Sequence, residues 1–274
     1  MSPLFDIGLN LAHDSFDHDR EAVFARALDA GVTRMLVTGS SFASIPAAIS
    51  LVHRWPAHLR ATAGIHPHHS PELTPDRSAE LLELMRQPEV LAAGECGLDY
   101  FRDFAPRDVQ RQAFEIQLEL AAAAGKPLFL HQRDAHEDFL AILDGQLARL
   151  SGGVAHCFTD TLEAARAYLD RGLYIGITGW ICDERRGGAL RDIVRYIPRD
   201  RLLIETDAPY LLPRNLEPRP KDRRNEPMYL PTVLATLAEC RREDPELLAR
   251  ATTDNALELF AWPVTADVEP ACAS

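Results

Sequence analysis

The chain has 274 residues, 46% of them hydrophobic and 26% charged, with a formal net charge of −12. Those proportions are ordinary for a globular protein, and the length allows one large domain or two small ones. The acidic balance excludes a broadly basic face for nucleic acid or acidic lipid, so an anionic substrate must be held by a local patch or a metal.

Leu4 to Asn10 reads as a first strand and Asp17 to Gly31 as a helix, with Gly31 as its stop. Arg34 to Thr38 is a second strand, followed by a helix from Ala43 to Trp55 whose early Pro46 a first turn tolerates. Arg60 to Ile65 is a third strand, ending in His66-Pro-His-His69, with a helix over Pro75 to Gln87. Val90-Leu-Ala-Ala-Gly-Glu-Cys-Gly-Leu-Asp-Tyr100 reads as a short buried strand that ends in the carboxylate of Glu95. Arg107 to Gly125 is a long amphipathic helix, and Gly125-Lys-Pro127 stops it.

The alternation continues to the end. Pro127 to His131, Gly153 to Phe158, Leu173 to Ile177 and Arg201 to Asp207 are four more strands. Helices follow near Ala135 to Leu150, Thr161 to Arg171 and Ala189 to Tyr196. After the last strand, a Pro/Arg-rich loop over Pro209 to Pro227 leads to helices at Leu230 to Cys240 and Pro245 to Phe260. Eight strand–helix units with short connections predict a single (β/α)8 TIM barrel over residues 1–262, with a frayed tail over 263–274. An open doubly wound sheet is the runner-up, but no Gly-x-Gly-x-x-Gly follows any strand.

The cysteines Cys96, Cys157, Cys182, Cys240 and Cys272 are odd in number and widely spaced, which fits reduced thiols better than a disulfide framework. No basic-then-apolar leader opens the chain, and no apolar run nears the ~18 residues of a membrane span. A cytoplasmic protein without membrane contact is expected.

In a barrel the C-terminal strand ends converge on one mouth, where active sites are built. His66, Glu95, His131, His156 and Asp207 all fall at inferred strand ends. Alone, each has an ordinary reading: a hydrogen-bonded core histidine, a salt-bridged glutamate, a turn-capping aspartate. Their coincidence at one end points to a divalent-metal first shell with an open position. Cys96 and Cys157 adjoin these residues, but strand neighbours point to opposite faces, so both are expected to be packing thiols.

Asp6-x-Gly-x-Asn10, Gly64-Ile-His-Pro-His68, Gly94-Glu-Cys-Gly-Leu-Asp99, His131-Gln-Arg-Asp-Ala-His136, His156-Cys-Phe158 and Glu205-Thr-Asp-Ala-Pro209 resemble, in order and spacing, the TatD family of metal-dependent nucleases. The match covers nearly the whole chain and extends to Gly176–Arg186 and Arg223–Pro227. The resemblance implies an amidohydrolase-type TIM barrel and Mg2+-dependent 3′–5′ exonuclease action on single-stranded DNA, and on RNA, with a role in DNA repair. It implies Glu95, His131 and His156 as metal ligands, with Asp207 as a ligand or close participant. Asp207, Glu205 and His66 are then the candidate catalytic groups. Most of the wider superfamily carries His-x-His on the first strand, where this chain has Gly8 and Asn10. One tight metal and a weak or absent second are therefore expected, with Mn2+ and Zn2+ as alternatives to Mg2+.

On this reading a divalent ion would offset phosphate charge and acidify its water. Asp207 would take the water proton, and His66 would hydrogen-bond a phosphate oxygen or steady the leaving group. His68, Asn10, Arg133, Arg185, Arg223 and Arg224 are candidate substrate contacts, although any single loop Arg is more often solvated surface charge. Tyr100, Phe104 and Trp180 are candidates for base stacking or for packing under loops. A monomer is expected. The competing readings are a small-molecule metal hydrolase of lactonase or amidase type on the same barrel, and a non-enzymatic scaffold. No lysine ends an inferred strand to bridge two metals, and the retained ligand set argues against a mere scaffold.

Overall fold

The structure, a computed structural model, describes residues 2–263. The expected tail over 263–274 lies outside them apart from Pro263. Eight parallel strands pair in chain order: β1 Leu4–Leu9, β2 Val32–Val37, β3 Leu59–Ala63, β4 Val90–Asp99, β5 Leu128–Arg133, β6 Gly153–Ala155, β7 Tyr174–Ile177 and β8 Leu202–Ile204. Between and after them run α1 Arg20–Asp29, α2 Ser44–Arg54, α3 Ser78–Met85, α4 Arg107–Ala124, α5 His136–Gln146, α6 Leu162–Asp170, α7 Gly188–Ile193, α8 Leu230–Arg241 and α9 Pro245–Leu259. This is the expected TIM barrel. Among the described residues, no helix is long and apolar enough to cross a membrane.

The seam between β8 and β1 closes just past β8. The Asp207 N–H donates to the Gly8 carbonyl at 2.8 Å, and the Asn10 N–H to the Ala208 carbonyl at 2.7 Å. Between them, the buried Asp6 carboxylate accepts from the Thr206 N–H at 2.9 Å and the Thr206 hydroxyl at 2.5 Å. A side chain thus supplies part of the ladder where the chain turns to present Asp207.

Strands covered on both faces need apolar residues on both, and every residue of β1 is buried. One cluster joins Phe5, Ile7, Leu36, Ala92, Phe129, Val154, Tyr174 and Leu203 with Phe260 and Trp262 just past α9. It fills the barrel interior. Trp262 meets Phe5 edge-on at 5.0 Å between ring centres, so the C-terminal helix plugs the end opposite the mouth. The other strand faces pack against the helices in a second, larger cluster. Gly125 takes the left-handed cap of α4 at φ 66°, and Thr161 and Asp244 cap α6 and α9 with side-chain oxygens.

Several strands differ from expectation near the mouth: β3 stops at Ala63 rather than Ile65, β5 runs past His131 to Arg133, and β4, β6 and β8 change as well. β4 is ten residues long, so Glu95 lies inside it rather than at its end. Its register against β5 shifts between Gly94 and Cys96, the Gly94–Glu95 peptide is cis, and Gly94 and Gly97 stand at φ 144° and 142°. A Cβ at either glycine would lie about 2 Å from a β5 carbonyl oxygen, so only glycine fits this bulged approach. β6 stops before His156 and β8 before Glu205, because both chains leave extended geometry there. Cys157 has φ 48° and Asp207 φ 53°.

Candidate functional site

Glu95 is the hub of the mouth. Its Oε1 lies 3.0 Å from His131 Nδ1, 3.4 Å from His66 Nε2 and 3.7 Å from His156 Nε2. β3, β4, β5 and β6 each deliver one of these groups. Donor atoms sharing one ion at about 2.1 Å stand about 3.4 Å apart, so this spacing suits a common metal. His66, Glu95 and His131 form one group whose ligand atoms lie within 4.8 Å of one another, and His156, Cys157 and Asp207 form a second. His131 Nε2 is buried without a hydrogen bond, 3.4 Å from Asp99 Oδ2. A buried donor set with an unsatisfied nitrogen fits a cation better than an apolar core.

The three imidazoles are held differently. His66 begins the turn Pro67–Glu72, where its Nδ1 accepts the His68 N–H at 3.1 Å, leaving Nε2 as the donor facing Glu95. Burial lowers its pKa to about 3, so it stays neutral. His156 is the reverse. Its Nδ1 donates to Glu205 Oε2 at 2.5 Å, so Nε2 is the nitrogen turned toward Glu95. Burial disfavours the imidazolium, but Glu205, Glu95 and Asp207 outweigh it and push His156 up to about 10. His131 rises to about 8, because Asp99 and Glu95 overcome the effect of burial. Despite its burial, Glu95 is held well below the usual carboxylate range by His66, His131 and His156. A cation entering here meets an ionised carboxylate and must displace protons from His131 and His156.

Asp207 stands beside His156 in the left-handed conformation. Asn10 Nδ2 donates to its Oδ1 at 3.2 Å and to the Ala208 carbonyl at 3.3 Å. Burial raises Asp207 to about 7, with Glu95 and Glu205 adding to burial and His156 opposing it. Glu205 lies behind His156, fully buried, and its other oxygen accepts the Cys157 N–H at 2.6 Å. Gly8 and Gly176 make room for it. A Cβ on Gly8 would lie 2.5 Å from Glu205 Oε2 and 2.9 Å from Phe129 Cζ, and one on Gly176 would lie 2.5 Å from Glu205 Oε1. The missing first-strand His-x-His therefore has a physical counterpart: the Glu205 carboxylate fills the space beside Gly8.

The sequence model of the TatD related DNase family matches residues 5–261. The chain belongs to this family. A Salmonella typhimurium protein named 3′-5′ ssDNA/RNA exonuclease TatD is 51% identical over 257 residues, covering 94% of this chain and 98% of its own. A protein of the same name from Erwinia billingiae is 51% identical over 260 residues, covering 95% and 100%. Among solved structures, the TatD homologue YjjV of Escherichia coli superposes with a TM-score of 0.83 at 29% identity, over 95% of this chain and 98% of that one.

The remaining candidates in this TatD-family chain separate into those that line the mouth and those engaged elsewhere. His68 Nε2 bonds Asp99 Oδ2 at 2.9 Å, and its ring lies 4.6 Å from that of Phe104. Arg133 lies near Phe101 and Trp180. Arg185 is 68% exposed and lies 3.8 Å from Asp183. Arg223 is exposed. Arg224 is not: its guanidinium is tied to Asp19 and Glu226 and donates to the Ser15 carbonyl. Those contacts leave it a tether between the loops after β1 and β8. Tyr100, a candidate for base stacking or for packing under loops, donates its hydroxyl to Asp138 at 2.6 Å.

Sequence reasoning missed two residues. Asp99 touches His68 and His131 with Oδ2, while its Oδ1 accepts the Phe101 and Arg102 N–H groups. Its place four residues after Glu95 on one strand was the available cue. Cys157 was expected to face away from the site, and this is corrected. At φ 48° strand alternation no longer applies, and its Sγ joins His156 and Asp207. Cys96 is a buried core thiol as expected.

Proposed function

We propose that the chain is a metal-dependent 3′–5′ exonuclease on single-stranded DNA, and on RNA, working at the barrel mouth. The observation that carries this reading is the convergence of three imidazoles on Glu95 Oε1, with Asp207 alongside. The relatives' name supplies the substrate class. Glu95, His131 and His156 would hold the metal, and Asp207 would border it. When bound, the ion neutralises phosphate charge and acidifies water. The mixed imidazole and carboxylate donors also admit Mn2+ and Zn2+, so the assignment to Mg2+ rests on the family resemblance.

The chain's own groups then divide the remaining work. Asn10 holds Asp207 Oδ1, so Oδ2 is the oxygen that takes the proton of the attacking water. Neutral His66, with Nε2–H turned into the mouth, donates to a phosphate oxygen or the leaving group. Glu205 has no exposed surface for substrate, so it positions His156 instead. His68, Arg133, Arg185 and Arg223 would contact the strand. The free cysteines, the acidic surface and 3′-end trimming together suit a cytoplasmic monomer acting in DNA repair.

The test uses 3′- and 5′-labelled single-stranded oligonucleotides with Mg2+, Mn2+, Zn2+ or EDTA, read alongside the melting temperature. Stepwise loss from the 3′ end is expected, abolished by EDTA and by Glu95→Ala, with the metal-induced rise in melting temperature lost in the same variant. Asp207→Asn is expected to keep that rise and lose roughly 10²–10⁴-fold in kcat. Full activity in Glu95→Ala overturns the site.

A further inference from the structure

The metal cluster leaves the ground at the C-terminal end of β5 unused. Past His131, residues Gln132, Arg133 and Asp134 join Thr159, Asp160 and Trp180 around a half-open cavity of about 120 Å3. Cavities on that scale take a single aromatic ring. Arg133 stands two residues, or about 7 Å, along the strand from the candidate ligand His131. That is the reach from a phosphate to a neighbouring base.

The walls suit a flat neutral ring better than a second phosphate. Asp134 and Asp160 set two carboxylates against the one guanidinium of Arg133 in the lining. Arg133 lies 5.9 Å from the Trp180 ring centre and 4.8 Å from that of Phe101, while Arg186 covers Trp180 at 4.4 Å. Phe101 is 56% exposed, so part of its ring is open to a ligand. The frame is rigid. Gln132 Nε2 donates to Asp160 at 2.8 Å and to the Tyr168 hydroxyl at 2.9 Å, and its Oε1 accepts the Ala135 N–H at 2.8 Å. Asp134 holds φ 54°, a conformation that non-glycine residues seldom adopt.

We propose that this cavity is a nucleobase subsite. The base beside the scissile phosphate enters the cavity along Trp180, with Arg133 and Phe101 at its edge, and Asp134 and Asp160 accept from its exocyclic amino group. The proposal rests on the nuclease reading above. Stacking on aromatic and guanidinium planes binds every base. Carboxylates accept from cytosine N4 or adenine N6 and meet only an acceptor at thymine O4. Guanine offers its N2 amino group in the same way, so adenine, cytosine and guanine are favoured over thymine at this one position.

The test uses oligonucleotides with a single abasic nucleotide at each of the last four 3′ positions, cleaved by the full-length protein with Mg2+. The wild type is expected to lose roughly ten-fold in kcat/KM at one of those positions, the size of one stacked base. Trp180→Ala loses the same factor on the intact strand and nothing further at that position, while Trp180→Phe retains the wild-type pattern. Phe101→Ala, at an exposed residue, gives the same non-additive loss without threatening the fold. Additive losses in both alanine variants, or equal rates at all four positions, overturn the subsite and leave the nuclease standing. No cleavage of any oligonucleotide overturns the nuclease reading and the subsite with it.

Discussion

His156 Nδ1 and Glu205 Oε2 stand 2.5 Å apart with both side chains closed to solvent, and Glu205's other oxygen takes the Cys157 N–H. The carboxylate accepts from two donors and fixes which imidazole nitrogen faces Glu95. In Glu205→Gln one oxygen becomes an NH2 group, which must confront either the Cys157 N–H or the His156 Nδ1–H. Metal affinity should fall roughly 10–100-fold. Activity should return at high metal concentration, because the ligands themselves remain. Isothermal titration with Mn2+ and a metal-dependence curve of kcat separate this from Asp207→Asn, whose rate more metal does not restore. A rate deficit in Glu205→Gln that saturating metal leaves intact would count against a positioning role.

Gly8 faces that same carboxylate. Its missing Cβ would press on Glu205 Oε2 at 2.5 Å and Phe129 Cζ at 2.9 Å, and Glu205 cannot retreat without releasing His156. Gly8→Ala should therefore destabilise the protein by about 1–3 kcal/mol, the usual range for overpacking, and weaken metal binding as well. Urea midpoints and the Mn2+-induced shift in melting temperature measure the two effects. Unchanged values in both would mean that Glu205 has room to move.

Much of this arrangement was legible in the sequence, because strand ends in a barrel share one mouth. His66, Glu95, His131, His156 and Asp207 could be assembled from strand positions alone. Alternation along a strand could not place Cys157 or Asp207, because both leave extended geometry in the left-handed region. Glu205 lay in a matched motif, yet only packing distinguishes a carboxylate facing solvent from one shut behind His156. Arg224 illustrates the same gap: a basic loop residue looks like a phosphate contact until Asp19 and Glu226 are seen around it. Asp6 stands in a matched motif, but its closing of the β8–β1 seam depends on a partner 200 residues away.

Asp6 should make stability depend on pH. Burial raises its pKa from 3.8 to about 7, outweighing the hydrogen bonds from Thr206 and Gly8. Between those two values the folded state holds a proton that the unfolded state has lost. Stability therefore falls as pH rises from about 4 to about 7, by at most about 1.4 kcal/mol per pH unit for one proton, and the full penalty remains above 7. Asp6→Asn keeps an oxygen for the backbone donors and removes the titration. Denaturation in EDTA at pH 5 and pH 8 should show a smaller difference for Asp6→Asn than for the wild type. Equal differences would mean that Asp6 is already ionised at pH 5.

Arg223 and Arg224 are adjacent in sequence and should behave oppositely. Arg223 is exposed, whereas Arg224 is 14% exposed and bound to Asp19 and Glu226. If Arg223 meets one phosphate, Arg223→Ala should reduce the magnitude of the slope of log K against log salt for a single strand by about 0.7, with stability unchanged. Arg224→Ala leaves two partly buried carboxylates to share Arg26 alone and should cost about 1 kcal/mol of stability, with the salt slope intact. Fluorescence anisotropy of a labelled oligonucleotide across a salt series, beside urea denaturation, reads both quantities. A changed slope in Arg224→Ala at wild-type stability would return that residue to the nucleic-acid surface and leave the two loops tethered by Arg26, which also pairs with Asp19 and Glu226.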